Sequence, residues 1–212
     1  MNIDFRVLLI MLVIILISMV LHELAHGVVA YLLGDTTAKD EGRLTLNPFK
    51  HLDPIISILV PLFMYMTGGP IFGGAKPVPV DSRRLKGGAW GMALVAIAGP
   101  LTNFILAFLA FFIGHISGGW YDTGMLGLIF RQFVVANLGF FVFNIIPIPP
   151  LDGSRILYAI APDGAREVME KLEGTLGIWL IFILIFIFGS TLSSFMTGAI
   201  NEIYKFFVSI VV

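Results

Sequence analysis

The chain has no cysteine, few charged side chains and no block of like charge. Without cysteine there is no disulfide, no thiolate metal ligand and no cysteine nucleophile, so any metal chemistry must use His, Asp or Glu. Charged residues make up 13% of the 212 residues, about half the share of a soluble domain. The formal net charge of -1 provides no basic field, so we expect no nucleic-acid partner.

Apolar residues dominate what is present: 58% of the chain is hydrophobic, and the mean hydropathy is +0.95. Runs of apolar residues recur at about 5 to 33, 55 to 72, 89 to 114, 124 to 148, 174 to 190 and 192 to 212. Such lengths are typical of helices in a lipid bilayer, although not every run has to span it. We therefore expect an all-α polytopic membrane protein with about five to six hydrophobic segments, folded as one integral membrane domain over residues 1–212.

The second hydrophobic segment, 55 to 72, is short and interrupted by Pro61, Gly68, Gly69 and Pro70. Basic residues lie on both sides of it, and a spanning path would divide them between the two faces of the membrane, against the positive-inside tendency. A re-entrant or broken path keeps them together on the cytoplasmic face. We therefore expect a protein of the plasma membrane of a prokaryote, with its N-terminus outside and its basic loops inside.

A small β-hairpin is predicted between the first two segments. Residues 36 to 39 and 43 to 46 flank Asp40-Glu41-Gly42, which has the composition of a glycine-containing hairpin turn. The edge of such a hairpin can pair with an extended peptide through backbone hydrogen bonds. The sequence therefore predicts that the segment Arg43, Leu44, Thr45 and Leu46 binds substrate.

The segment His22-Glu23-Leu24-Ala25-His26 lies inside the otherwise apolar run from 5 to 33. On an α-helix the two histidines share one face, and this spacing, with a glutamate after the first histidine, is typical of zinc hydrolases. An ionised side chain at the centre of a bilayer costs about 2.5 to 3.5 kcal/mol, so such groups usually face a site or a water-filled cavity. We expect His22 and His26 to bind one zinc ion per chain and Glu23 to act as the general base.

A third ligand must come from another part of the chain, because a catalytic zinc site normally has three protein ligands. Asp152 is the best candidate, since Pro147, Pro149 and Pro150 end the preceding helix and leave this carboxylate at the membrane boundary. The alternative is that Asp152-Gly153 forms an ordinary turn. The residues alone leave both interpretations open.

Three segments together resemble the site-2 protease family of intramembrane zinc metalloproteases. They are His22 to His26, Gly99-Pro100-Leu101-Thr102-Asn103, and Asn144 to Gly153, which occur in the family's order and cover most of the chain. The resemblance implies that Asp152 is the third zinc ligand, that Glu23 is the general base, and that Asn144 donates to the substrate backbone or oxyanion. No segment resembles the PDZ-type or CBS-type domains of larger members, so we expect a minimal catalytic core.

Three polar residues have two interpretations each. Asn144 fits the active site or a hydrogen bond between helices, and Asn103 fits substrate binding or a structural contact where Gly99-Pro100 kinks the helix and lets a neighbour approach. His51 fits a gating zinc ligand or an interfacial histidine.

The resemblance implies hydrolysis of peptide bonds within or near the transmembrane segments of membrane-protein substrates, that is, regulated intramembrane proteolysis. One alternative is a membrane zinc transporter, but transporters commonly contain repeated halves and no internal repeat is found. The other alternative is a non-catalytic membrane chaperone, which has no need for Glu23. The expected partners are a transmembrane-helix substrate and the lipid bilayer.

Overall fold

The structure is a computed structural model that describes residues 5–59, 62, 63, 66 and 75–211. This part of the chain is mostly helical, as predicted. Its α-helices are α1 (Phe5–Leu32), α2 (Thr37–Asp40), α3 (Gly88–Ile116), α4 (Met125–Asn144), α5 (Asp152–Ile160), α6 (Asp163–Ile187) and α7 (Gly189–Val211). Short 3-10 turns occupy Pro48–Lys50, Ser82–Arg84 and Gly119–Tyr121, and a π-helical turn occupies Pro54–Leu59.

Among the described residues, three helices are long and apolar enough to cross a membrane: α1, α3 and α4. The shortest of them, α4, has 20 residues and a length of about 30 Å, which matches the hydrocarbon thickness of a bilayer. Helices α6 and α7 cover the last two predicted segments, but they combine apolar residues with charged and polar ones. The expected number of five to six segments is therefore not confirmed. Most of the interrupted part of segment 55 to 72, including Pro61 and Gly68 to Pro70, lies outside the described residues, so its re-entrant path stays a prediction.

The predicted β-hairpin is wrong: no strand occurs in the described ranges, and residues 37–40 form α2 instead. The carboxylate of Asp35 starts this turn by accepting the backbone N–H of Thr37, and Ala38 and Lys39 favour helix. Gly42 has a φ of +64°, and the N–H of Arg43 returns to the carbonyl of Ala38. This is the left-handed ending of a helix. The glycine that suggested a hairpin turn therefore ends a helix.

Helices α1, α3 and α4 pack together, and α5 folds back against α3. The largest buried cluster joins α3, α4 and α7 through Ala107, Phe111, Val134, Leu138 and Phe207.

The reversal between α4 and α5 requires Gly153, because a Cβ there would lie only 2.2 Å from the carbonyl oxygen of Ile145. This tight reversal brings the first residue of α5, Asp152, toward α1.

Candidate metal centre

The three predicted zinc ligands lie together in one place. His22, His26 and Asp152 each have one donor atom that lies within 4.8 Å of the donor atoms of the other two. The two Nε2 atoms are 2.9 Å apart, and Oδ2 of Asp152 is 3.2 Å from that of His22 and 3.4 Å from that of His26. Both histidines lie on one face of α1, and Asp152 comes from the start of α5.

The hydrogen bonds of the two histidines fit a metal ion. Nδ1 of His22 donates to Oδ1 of Asn103 over 2.6 Å, and Nδ1 of His26 donates to the carbonyl of Val95 over 2.7 Å. Because these oxygens can only accept, the proton of each neutral ring is on Nδ1, and Nε2 is left with a lone pair. The second nitrogen of a metal-binding histidine commonly makes such a bond.

The third donor is anionic. It is the carboxylate of Asp152, which faces Nε2 of both histidines. Its buried Oδ2 has no hydrogen-bond donor within the described part of the chain. Two imidazole nitrogens and one carboxylate oxygen therefore converge, a donor set that zinc prefers and that needs a cation at its centre.

A glycine on α3 makes room for this centre. A Cβ on Gly99 would lie 2.4 Å from Nε2 of His26 and 2.6 Å from Nε2 of His22. Ordinary side chains do not tolerate such distances, so only glycine lets the backbone of α3 pass this close to the ligands. The predicted close approach at Gly99-Pro100 is confirmed.

A chain of buried amides holds His22 in place. Nδ2 of Asn103 donates to Oδ1 of Asn137 over 2.9 Å, and Nδ2 of Asn137 donates to Oγ of Ser18 over 2.9 Å. All three side chains are completely buried. The chain of bonds joins α3, α4 and α1, and it returns to α1 one turn before His22.

Asn137 and Ser18 were not predicted from the sequence. The available signal was the rarity of an amide in an apolar helix, together with the position of Asn137 two turns before Asn144 on α4.

Glu23 is held by residues 75–80, a segment without regular secondary structure. Oε2 of Glu23 accepts the backbone N–H of Val78 over 2.8 Å. The segment is fixed by the N–H of Lys76, which donates to the carbonyl of His51 over 2.8 Å. The side chain of Arg43 also donates to the carbonyls of Lys76 and Pro77, over 2.8 and 3.2 Å. This segment was not predicted from the sequence, because its Pro77 and Pro79 prevent regular sheet pairing.

The predicted substrate-binding residues have other partners in the structure. Arg43 is buried against residues 75–80, and the N–H of Thr45 donates to the carbonyl of Arg43. Asn103 faces His22, and Asn144 donates to the carbonyl of Phe140 one turn earlier on α4. Their contacts with substrate stay predictions.

His51 is not one of the three clustered ligands. Its Nε2 donates to the carbonyl of Thr45 over 2.8 Å. A gating role for His51 stays a prediction.

A cavity of about 440 Å³ opens at the metal centre. Its walls include Glu23 and Asn144 as well as the three clustered residues. The remaining wall is largely apolar and includes Met19, Val78, Met92, Phe140 and Ile181. The cavity therefore combines a few polar groups with apolar walls, as is usual for small-molecule and peptide sites.

Comparisons with known proteins agree with this geometry. No family model matches the chain, and no solved structure matches it. The chain is 42% identical over 180 residues to the Bacillus subtilis protein named "Putative zinc metalloprotease YwhC", an alignment that covers 82% of this chain and 78% of that protein.

Two mycobacterial proteins named "Putative zinc metalloprotease Rip2" are also similar. The one from Mycolicibacterium smegmatis is 33% identical over 141 residues, covering 65% of this chain and 52% of the relative. The one from Mycobacterium tuberculosis is 29% identical over 195 residues, covering 89% and 70%. The Bacillus subtilis relative is 42% identical over most of the chain, and two histidines of α1 lie beside Glu23 and meet Asp152. The chain therefore belongs to the site-2 protease family of zinc metalloproteases.

Proposed function

We propose that the protein is an intramembrane zinc metalloprotease that hydrolyses peptide bonds within or near the transmembrane segments of membrane proteins. The proposal rests on the convergence of His22, His26 and Asp152 in one cavity with Glu23. The two histidines and Glu23 lie on α1, which is apolar enough to span a bilayer. A binder or chaperone has no need for this combination.

When bound by the three ligands, zinc supplies Lewis acidity that polarises a carbonyl and makes water easier to deprotonate. Glu23 is the general base, since its carboxylate takes a proton from water and passes it to the leaving amine. The backbone N–H of Val78 holds the carboxylate through Oε2. This bond limits the rotation of the side chain, so the base stays oriented toward the cavity.

Asn144, the last residue of α4, lines the same cavity. One N–H of its amide is used by the carbonyl of Phe140. Because an amide nitrogen carries two protons, the other remains for a carbonyl oxygen of the substrate. We propose that Asn144 donates to the substrate backbone or to the oxyanion that develops during hydrolysis.

The substrate must lose its helical structure at the cut. A transmembrane helix keeps its carbonyls in internal hydrogen bonds, and only backbone that faces protein or water can be unwound at membrane depth. A cavity of about 440 Å³ with both polar and apolar walls provides such a place. We further propose that the protein resides in the plasma membrane of a prokaryote, with this cavity reached from the cytoplasm.

The test uses purified, zinc-loaded protein and a single-span substrate in proteoliposomes, with the fragments identified by mass spectrometry. Glu23→Gln is expected to lower cleavage by roughly 100-fold or more while zinc is retained, since it removes only the base. Glu202→Gln is the matched control, because Glu202 is an exposed carboxylate on α7 paired with Lys205. Equal amounts of cleavage fragment from wild type and Glu23→Gln would show that the protein does not hydrolyse substrate by this mechanism.

A further inference from the structure

One peptide group connects a buried arginine to the proposed base. The carbonyl of Pro77 and the N–H of Val78 belong to the same peptide group, because the two residues are consecutive. The N–H donates to Oε2 of Glu23 over 2.8 Å, and the carbonyl accepts from Nη2 of Arg43 over 3.2 Å. A guanidinium, a peptide group and a carboxylate therefore form one chain of hydrogen bonds.

Arg43 itself does not reach the metal cavity. Its side chain is buried, and it is not among the described residues that line that cavity. The same Nη2 also donates to the carbonyl of Lys76 over 2.8 Å, so one nitrogen holds two consecutive carbonyls. Burying a guanidinium is unfavourable, and an apolar side chain would fill this space at a lower cost in free energy. Any effect of Arg43 on the reaction must pass through the backbone that it holds.

Helix α1 fixes Val78 from the other side. Glu23 and Gly27 lie one turn apart on the same face of this helix. A Cβ on Gly27 would lie 3.0 Å from Cγ1 of Val78 and 2.5 Å from Cδ2 of Leu44, so glycine here lets both side chains pack directly against the helix. Val78 is therefore held at its side chain by α1 and at its own peptide group by Arg43.

The chain of bonds also strengthens the bond to the carboxylate. Hydrogen bonds in series polarise one another, and the effect is larger where water is excluded. The positive charge of Arg43 draws electron density toward the carbonyl oxygen of Pro77, so the N–H of Val78 becomes a better donor. A stronger bond to Oε2 restricts the rotation of Glu23, and proton transfer requires such a fixed orientation.

We propose that Arg43 is a positioning residue for Glu23, and that it acts through the peptide group between Pro77 and Val78. This inference rests on the proposed proteolytic function. It adds to that function a residue outside the cavity on which the rate of turnover depends.

The first experiment separates positioning of the base from binding of the substrate. Arg43→Met keeps a long unbranched side chain but removes the donors, so kcat and kcat/KM are expected to fall together by about 10- to 100-fold with KM unchanged. Arg43→Lys keeps a cation that can donate to a carbonyl, so it is expected to recover much of the lost kcat. Both variants should keep their zinc, because the hydrogen bonds of Arg43 do not involve the three ligands.

Arg131→Met is the matched control. Nη1 of Arg131 likewise donates to two loop carbonyls, those of Trp120 and Asp122, over 2.9 and 3.1 Å. Arg131 lies 13 residues before Asn144, which is about 20 Å along α4 from the cavity. Both substitutions are expected to lower the unfolding temperature, but only Arg43→Met should lower kcat.

The second experiment tests whether Arg43 acts through the N–H of Val78. Val78→Pro removes that donor, whereas Val78→Ala keeps it and loses most of the side chain. Arg43→Met is expected to lower kcat by less than about 2-fold when added to Val78→Pro, but to have its full effect when added to Val78→Ala. The zinc content of each variant shows whether it has folded, and the first experiment decides the outcome if Val78→Pro has not.

Several results would overturn the role of Arg43. They are a raised KM with unchanged kcat in Arg43→Met, equal kcat in Arg43→Met and Arg131→Met, no recovery in Arg43→Lys, and multiplied losses when Arg43→Met is added to a folded Val78→Pro variant. Each of them leaves the protease intact, provided that wild type cuts the substrate and Glu23→Gln does not. If wild type and Glu23→Gln both leave every substrate uncut, the proposed function and the role of Arg43 fail together.

Discussion

Replacing Gly99 by alanine tests the geometry of the metal centre with one methyl group. The added carbon would lie 2.4 Å from Nε2 of His26 and 2.6 Å from Nε2 of His22, whereas ordinary van der Waals contact begins at 3.4 Å. Either α3 or the two rings must therefore move by up to about 1 Å. Zinc sites tolerate changes of only about 0.2 Å in their ligand distances.

The expected result follows from that difference. Because both imidazole ligands are displaced together, we expect Gly99→Ala to lower zinc affinity by more than about 100-fold, beyond the effect of losing a single supporting hydrogen bond. Cleavage should fall with it. The protein should still fold, since alanine favours a helix over glycine by about 0.5 to 1 kcal/mol.

The assay is zinc content by mass spectrometry after dialysis against a chelator, together with thermal unfolding in detergent. Gly139→Ala on α4 is the matched control, because a Cβ there meets nothing within 4 Å. It should keep its zinc and be as stable as wild type or slightly more stable. A Gly99→Ala protein with wild-type zinc affinity would refute the placement of α3 against the ligands.

Three further results are expected. Asn137→Leu should weaken zinc binding by about 10- to 100-fold in chelator competition, because Asn103 loses the amide that orients it toward His22; unchanged affinity would remove Asn137 from the metal centre. Burial raises the pKa of Asp35, but hydrogen bonds from Thr37 and from the N–H of Asp81 outweigh burial and hold the pKa below its ordinary value of 3.8. The folded state is therefore stabilised by the ionised carboxylate above pH 3.8, and this stabilisation is lost as the pH falls through the lower pKa of the folded state. Asp35→Asn should therefore lower the unfolding temperature at pH 7, and the difference from wild type should shrink below about pH 4; a constant difference would contradict this linkage. Cysteines introduced at Lys50 and at Arg83 should be labelled from the same side of the membrane, with no native cysteine to interfere; labelling from opposite sides would show that the segment between them crosses.

Local patterns predicted that His22 and His26 lie together, because their spacing needs only one helix to place both rings on one face. The position of Asp152 was harder to predict from the sequence. The prolines and Gly153 indicate a chain reversal, but they do not show that it brings Asp152 to α1. The resemblance to a family supplied that step.

Contacts between distant helices could not be read from the chain. The bonds from Asn137 to Asn103 and to Ser18 connect residues 34 and 119 positions apart. One sequence does not specify which polar residues of separate apolar helices meet. The segment at Val78 was missed for the same reason, because its hydrogen bond to Glu23 joins residues 55 positions apart.

The wrong hairpin has a local cause. Glycine at position 42 suits a hairpin turn and a left-handed helix ending equally well, and both require the same positive φ. The hydrogen bonds of Asp35 and of Arg43 decide in favour of the helix. Such bonds depend on side-chain and backbone placement that composition does not reveal.

Zinc binding by His22, His26 and Asp152 is tested most directly by X-ray absorption spectroscopy of the purified, zinc-loaded protein, alongside Asp152→Ala. Wild type should contain one zinc per chain, with two imidazole nitrogens and carboxylate oxygen at about 2.0 to 2.2 Å. Asp152→Ala should lose the carboxylate contribution and most of its affinity. An Asp152→Ala spectrum and zinc content identical to those of wild type would contradict the proposed centre.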